Sequence, residues 1–85
     1  MSYTVDLSPH AVRDRRGLPP DIRERVTAAL LALENDPRPV GCLKMTGTAE
    51  WRVRVGAYRI RYLIDDQARQ VTVTRIGHRR DVYRP

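Results

Sequence analysis

The chain has no phenylalanine, one cysteine, one lysine and one tryptophan in 85 residues. The lone thiol, Cys42, cannot close an internal disulfide, so a disulfide-stapled secreted scaffold is excluded and a reducing cytoplasm is the expected location. Cys42 lies among Val40, Gly41 and Leu43 with no histidine near it in sequence, which reads as a packing residue rather than a nucleophile. The two histidines, His10 and His78, show no metal-ligand spacing with it, and neither a metal nor another cofactor is expected. No apolar run approaches the roughly 20 residues of a membrane span, and the N-terminus lacks the basic-then-apolar pattern of a signal peptide. A membrane partner is therefore not expected. There is no GxGxxG motif, Walker loop or internal repeat. Without phenylalanine, the core must be built from Leu, Val, Ile and Ala, helped by four tyrosines and Trp51. Residues 1–85 are read as a single domain around one small core.

What the chain has instead is arginine, fifteen copies, distributed unevenly. Residues 1–50 hold six Arg and Lys44 against seven acids, and residues 51–85 hold nine Arg against three, so the whole net charge of +6 belongs to the second half. A one-sided basic surface is the footprint of a polyanion binder, and arginine offers bidentate contact to phosphate.

The densest part is Trp51-Arg-Val-Arg-Val-Gly-Ala-Tyr-Arg-Ile-Arg-Tyr62, where apolar and basic residues alternate with the period of a strand. Gly56-Ala57 fits a two-residue hairpin turn with glycine at its first central position. That turn fixes the register: Val55 opposite Tyr58, Arg54 opposite Arg59, Val53 opposite Ile60, Arg52 opposite Arg61 and Trp51 opposite Tyr62. Trp51, Tyr58 and Tyr62 then lie on the apolar face and are expected in the core. Arg52, Arg54, Arg59 and Arg61 share the other face, where directly opposed like charges destabilise the sheet. A phosphate backbone is the anion that would make sense of them.

Around this hairpin the sequence predicts the order β-α-α-β-β-β, an α+β domain whose antiparallel sheet, with a mixed edge, packs against a helical hairpin. Tyr3–Leu7 alternates as a first strand. Ser8-Pro9 supplies an N-cap followed by proline at the first helical position, and Gly17 ends a short helix after about Arg16. Arg13, Arg15 and Arg16 are expected to be a solvated face. Pro19-Pro20-Asp21 opens a second helix with Ile22, Val26, Ala29, Leu30 and Leu33 on one face, and Asn35-Asp36-Pro37 stops it. Residues 37–50 read as a loop. A turn at Asp65-Asp66 leads to a last strand at Val71–Ile76, which Gly77 is expected to break before a basic tail.

The Trp51–Tyr62 run, the later Arg75-Ile-Gly-His-Arg-Arg-Asp-Val-Tyr83, the helical hairpin and the Leu43-Lys44 pair together resemble the RelE/ParE toxin superfamily over nearly the whole chain. The resemblance implies a sheet backed by two helices and a toxin held in check by a cognate antitoxin. RelE-like members are endoribonucleases that cut mRNA in the ribosomal A site through attack of the 2′-hydroxyl on the adjacent phosphate. ParE-like members poison DNA gyrase, and a third possibility is a degenerate domain that only binds its antitoxin. By motif position, Arg52 and Arg54 fall where RelE has two basic strand residues, usually lysines. Arg59 falls on the family's central arginine, Arg79 on its later arginine, and Tyr83 on a C-terminal tyrosine that stacks on a base or orients the hydroxyl. Joint presence of these residues favours the ribonuclease. Lys44, Arg61 and Arg80 are expected to contact RNA without taking part in chemistry.

The family's general base is usually a lysine, and here both strand positions are arginine, which stays protonated. His78, beside Arg79, is therefore the expected proton carrier, with strand capping as the competing role. Glu50 is a weaker base candidate. The expected partners are mRNA, the ribosome, and an antitoxin whose acidic amphipathic segment pairs with the arginines or displaces the Tyr83 tail.

Overall fold

The structure, a computed structural model, describes residues 2–83. Its elements follow in the order β1 (Thr4–Leu7), α1 (Pro9–Arg16), α2 (Pro20–Asn35), β2 (Leu43–Lys44), β3 (Trp51–Val55), β4 (Tyr58–Asp65) and β5 (Gln70–His78). The strands form one sheet in the order β1-β5-β4-β3-β2, with β1 parallel to β5 and every other pair antiparallel. The α+β class, the mixed edge and the two-helix layer are as the sequence predicts.

Local signals set the helices. Ser8 caps α1, its hydroxyl accepting from the Ala11 amide at 3.1 Å, and the Gly17 amide closes the last turn on the Arg13 carbonyl at 3.2 Å. The apolar stripe of α2 buries Val26, Leu30 and Leu33 against Ile60, Tyr62, Val71, Val73 and Ile76 of the sheet. Arg15 departs from the solvated face expected for it: its guanidinium donates to the Thr27 hydroxyl at 2.7 Å and so ties α1 to α2. Tyr62 is fully buried, its hydroxyl donating to the Pro37 carbonyl at 2.8 Å, and burial pushes the phenol's pKa up.

Three further departures bear on the site. The segment 37–50 is not loop throughout, because Leu43 and Lys44 pair with Arg52 and Trp51 as a short edge strand. Gly77 does not break β5, which runs on to His78. The glycine meets a spatial need rather than a turn: a Cβ there would lie 3.5 Å from the Cβ of Val82, which folds back over the strand. Finally, the β4–β5 register slips by one. Arg61 pairs with Arg75 while Tyr62 pairs with Val73, leaving Thr74 as a bulge. Beyond Leu7 the outer edge of β5 is covered by α1, whose Asp14 carboxylate accepts from both Arg75 Nε and the Ile76 amide at 2.9 Å.

Candidate RNA-binding face

The hairpin places its four arginines in the expected pairs, Arg52 opposite Arg61 and Arg54 opposite Arg59, on the face turned away from the helices. Gly56 has φ of 59°, and Arg69 is the single non-glycine residue with positive φ among the described residues. Positive φ at Gly56 but not at Ala57 is the pattern of a type II′ turn, which matches strand twist and pins this register.

The four are not equivalent. Arg59 is only 9% exposed, and its Nη1 donates to the carbonyls of Gly56 and Tyr58, at 3.0 and 2.9 Å. Burial lowers its pKa, and the nearby charges of Arg54, Arg52 and Arg79 push the same way. It remains cationic, since a guanidinium's ordinary pKa lies far above neutrality. Arg59 is thus a fixed, partly desolvated charge with three other arginines around it. Such a charge acts more strongly on an incoming anion than one free in water.

The segment after β5 completes the face. The Arg79 amide donates to the Ala57 carbonyl at 2.8 Å, and the amides of Asp81 and Val82 both donate to the His78 carbonyl, at 2.8 and 3.0 Å. This turn buries Val82 and delivers Tyr83 onto β3 and β4. Arg52 Nη1 donates to the Tyr83 hydroxyl at 2.7 Å, and the guanidinium carbons of Arg52 and Arg61 lie 5.7 and 5.8 Å from the ring centre. A cleft of about 300 Å³ opens beside it, lined by Leu43, Lys44, Met45, Thr46, Arg52 and Tyr83. Lys44, registered opposite Trp51, donates from its Nζ to the Thr48 carbonyl at 2.6 Å.

The structure therefore gathers Arg52, Arg54, Arg59, Arg79 and Tyr83 on one face, with Lys44 at its border. It does not bring His78 to them. His78 is registered opposite Tyr58, its ring standing edge-on to that tyrosine at 5.5 Å, on the helix-facing side of the sheet. Its Nδ1 accepts from the Arg80 amide at 3.2 Å. The His78 ring thus stands apart from the arginine face, in contacts that fit the capping role. The reason is parity: once β5 continues through Gly77, His78 falls on the face of Ile76. Arg80 is exposed, and its amide belongs to the same turn.

Arg61 makes its contacts within the protein. Its Nε and Nη2 donate to Glu50 Oε2 at 2.8 and 2.6 Å, and its Nη1 donates to the Val82 carbonyl at 2.7 Å. Glu50 Oε1 lies 2.6 Å from the Thr74 hydroxyl. The importance of Thr74 and Val82 escaped sequence reasoning. The available signal was Glu50 itself, an acid immediately before an arginine-rich strand. Among the described residues, no group of three His, Cys, Asp or Glu side chains is placed to hold a metal ion.

Comparison with known proteins agrees with this geometry. The family model for the ParE toxin of type II toxin–antitoxin systems matches residues 5–83. Toxin RelG of Mycobacterium tuberculosis is 38% identical over 86 residues, covering 99% of each chain. Among solved structures, the toxin–antitoxin complex RelBE2 of Mycobacterium tuberculosis matches at 34% identity and a TM-score of 0.81, over 92% of this chain and 99% of that one. The archaeal RelE–RelB complex from Pyrococcus horikoshii matches at 25% identity and a TM-score of 0.82, over 93% and 97%. A family match over nearly the whole chain and a shared fold lead to one conclusion: the chain belongs to the RelE/ParE superfamily of toxins from type II toxin–antitoxin systems.

Proposed function

We propose that this toxin is an endoribonuclease that cleaves mRNA in the ribosomal A site, the RNA supplying its own nucleophile. One observation carries the reading: Arg52, Arg54, Arg79 and Tyr83 converge around the partly buried Arg59 on a single sheet face. Attack of a 2′-hydroxyl on the adjacent phosphate builds negative charge on the phosphoryl oxygens and expels a 5′-oxygen. The 2′-oxygen–phosphorus bond forms as the phosphorus–5′-oxygen bond breaks; the 2′-hydroxyl gives its proton to water and the leaving 5′-oxygen takes one from water, leaving a cyclic phosphate and a 5′-hydroxyl. A rigid cation with mobile cations beside it suits that charge, because held donors need no reorganisation as the charge develops. Arg59 is the rigid one, and Arg54 and Arg79 are exposed and reach outward. Tyr83, held by Arg52, orients the attacking hydroxyl or stacks on a base. With His78 on the other face, fixed positive charge rather than histidine general-base catalysis supplies most of the rate.

Arg79→Ala is the cleanest test. Its side chain is exposed while its backbone, not its guanidinium, holds the turn, so the fold should survive. Loss of one cationic donor should slow cleavage by about 10²–10³-fold, read by primer extension on a message in a translating extract. Undiminished cleavage would remove the assignment. The ParE family match favours a second reading, a gyrase-directed toxin that acts by binding. DNA double-strand breaks on induction, without cuts in mRNA, would establish it instead.

A further inference from the structure

A carboxylate is out of place in the middle of this cationic face. Glu50 and Arg61 are nonetheless mostly buried there, their side chains 14% and 18% exposed. Glu50 spends both oxygens, one on two arginine donors and the other on Thr74. Arg61 in turn spends three of its five donors, two on Glu50 and one on the Val82 carbonyl. Its fork is therefore directed inward and along the sheet rather than out toward a phosphate. The Val82 carbonyl is the last backbone group before Tyr83, so Arg61 anchors the tail at the residue that aims the tyrosine. Arg52 completes the hold from the other side, through the Tyr83 hydroxyl.

We propose that Glu50 is a positioning residue, which withdraws Arg61 from the phosphate-binding set and makes it the strut that holds Tyr83 over Arg52. The bulge at Thr74 belongs to the same device. It puts a hydroxyl, in an otherwise regular ladder, against the second carboxylate oxygen. Glu50 itself is held at the start of β3, where its carbonyl accepts from the Met45 amide at 2.9 Å and its amide donates to the Thr48 hydroxyl at 2.9 Å. Carboxylate, guanidinium, carbonyl and phenol thus form one chain from the β2–β3 connection to the tail. Charge-assisted links of this kind fix geometry more tightly than neutral ones.

The activity arm of the test rests on the ribonuclease reading, whereas the structural arm does not. In the isolated chain, Glu50→Gln and Arg61→Met should each free the tail, seen as faster exchange of the Val82 amide and motional narrowing of the Val82 methyl resonances in NMR. Both should lower kcat on the order of 10-fold or more, since a misplaced orienting group costs rate more than binding. They should differ in RNA affinity. Glu50→Gln leaves Arg61 charged and unneutralised, so RNA binding should tighten and its salt dependence steepen by about one phosphate contact, while Arg61→Met should do neither. A simple loss of stability would weaken binding and rate together in both variants. A tail that stays docked in both variants, or a freed tail with unchanged kcat, overturns the proposal. If the unmodified chain cuts no RNA, the ribonuclease reading fails. The NMR arm still decides the strut: release upholds it and continued docking overturns it.

Discussion

At the scale of single residues, chemically identical arginines do different work because their surroundings differ. Arg59 is fixed by two carbonyls of its own turn, Arg61 is committed to Glu50 and Val82, and Arg75 is bonded to Asp14 of α1 at the edge of the sheet. Arg54 and Arg79 remain exposed. His78 shows the same dependence on place. It stands next to Arg79 in sequence but on the opposite face of the strand, against Tyr58. The consequence is a specific expectation: His78→Asn, which keeps a short side-chain acceptor for the Arg80 amide, should leave both the rate of RNA cleavage and its pH profile within about twofold of the parent. Loss of a rising limb near neutrality in that variant would return the histidine to the chemistry.

At the scale of elements, the β3–β4 hairpin was legible because two local rules agree in it. Strand alternation assigns the faces, and glycine at the first turn position fixes the register, so the pairs Arg52–Arg61 and Arg54–Arg59 follow from twelve residues alone. The path of the chain after Ile76 was not legible, because it rests on contacts distant in sequence. Gly77 carries the signature of a strand end, yet it sits inside β5, and the space it leaves is filled by Val82 from a turn that closes on the His78 carbonyl. The bulge at Thr74 likewise depends on Asp14 and Glu50, which come from other elements. The packing at Gly77 can be tested directly. Gly77→Ala should fold and keep its tail, because the added Cβ meets Val82 at ordinary van der Waals distance, 3.5 Å. Gly77→Val should overpack the junction, cost about 1–3 kcal/mol in chemical denaturation and displace the tail. Equal stability of the alanine and valine variants would mean that Val82 does not pack there as described.

At the scale of the whole molecule, charge is divided unequally between the two halves of the chain. The first 50 residues, formally neutral, supply the helical layer, and the last 35, which include the arginine face, carry the entire net charge of +6. Such a surface attracts polyanions generally, which fits a toxin whose family relatives are crystallised with their antitoxins. We expect the antitoxin of this chain to present acidic side chains to the same arginines. On the ribonuclease reading, the arginine face acts on RNA rather than on a DNA-bound enzyme. The most direct measurement is to induce the unmodified chain in growing cells and follow intact mRNA and chromosomal DNA in the same time course. The ribonuclease account predicts cuts within translated messages, in register with codons, appearing before growth stops and with the chromosome intact. Uncut messages accompanied by double-strand breaks in DNA would contradict it.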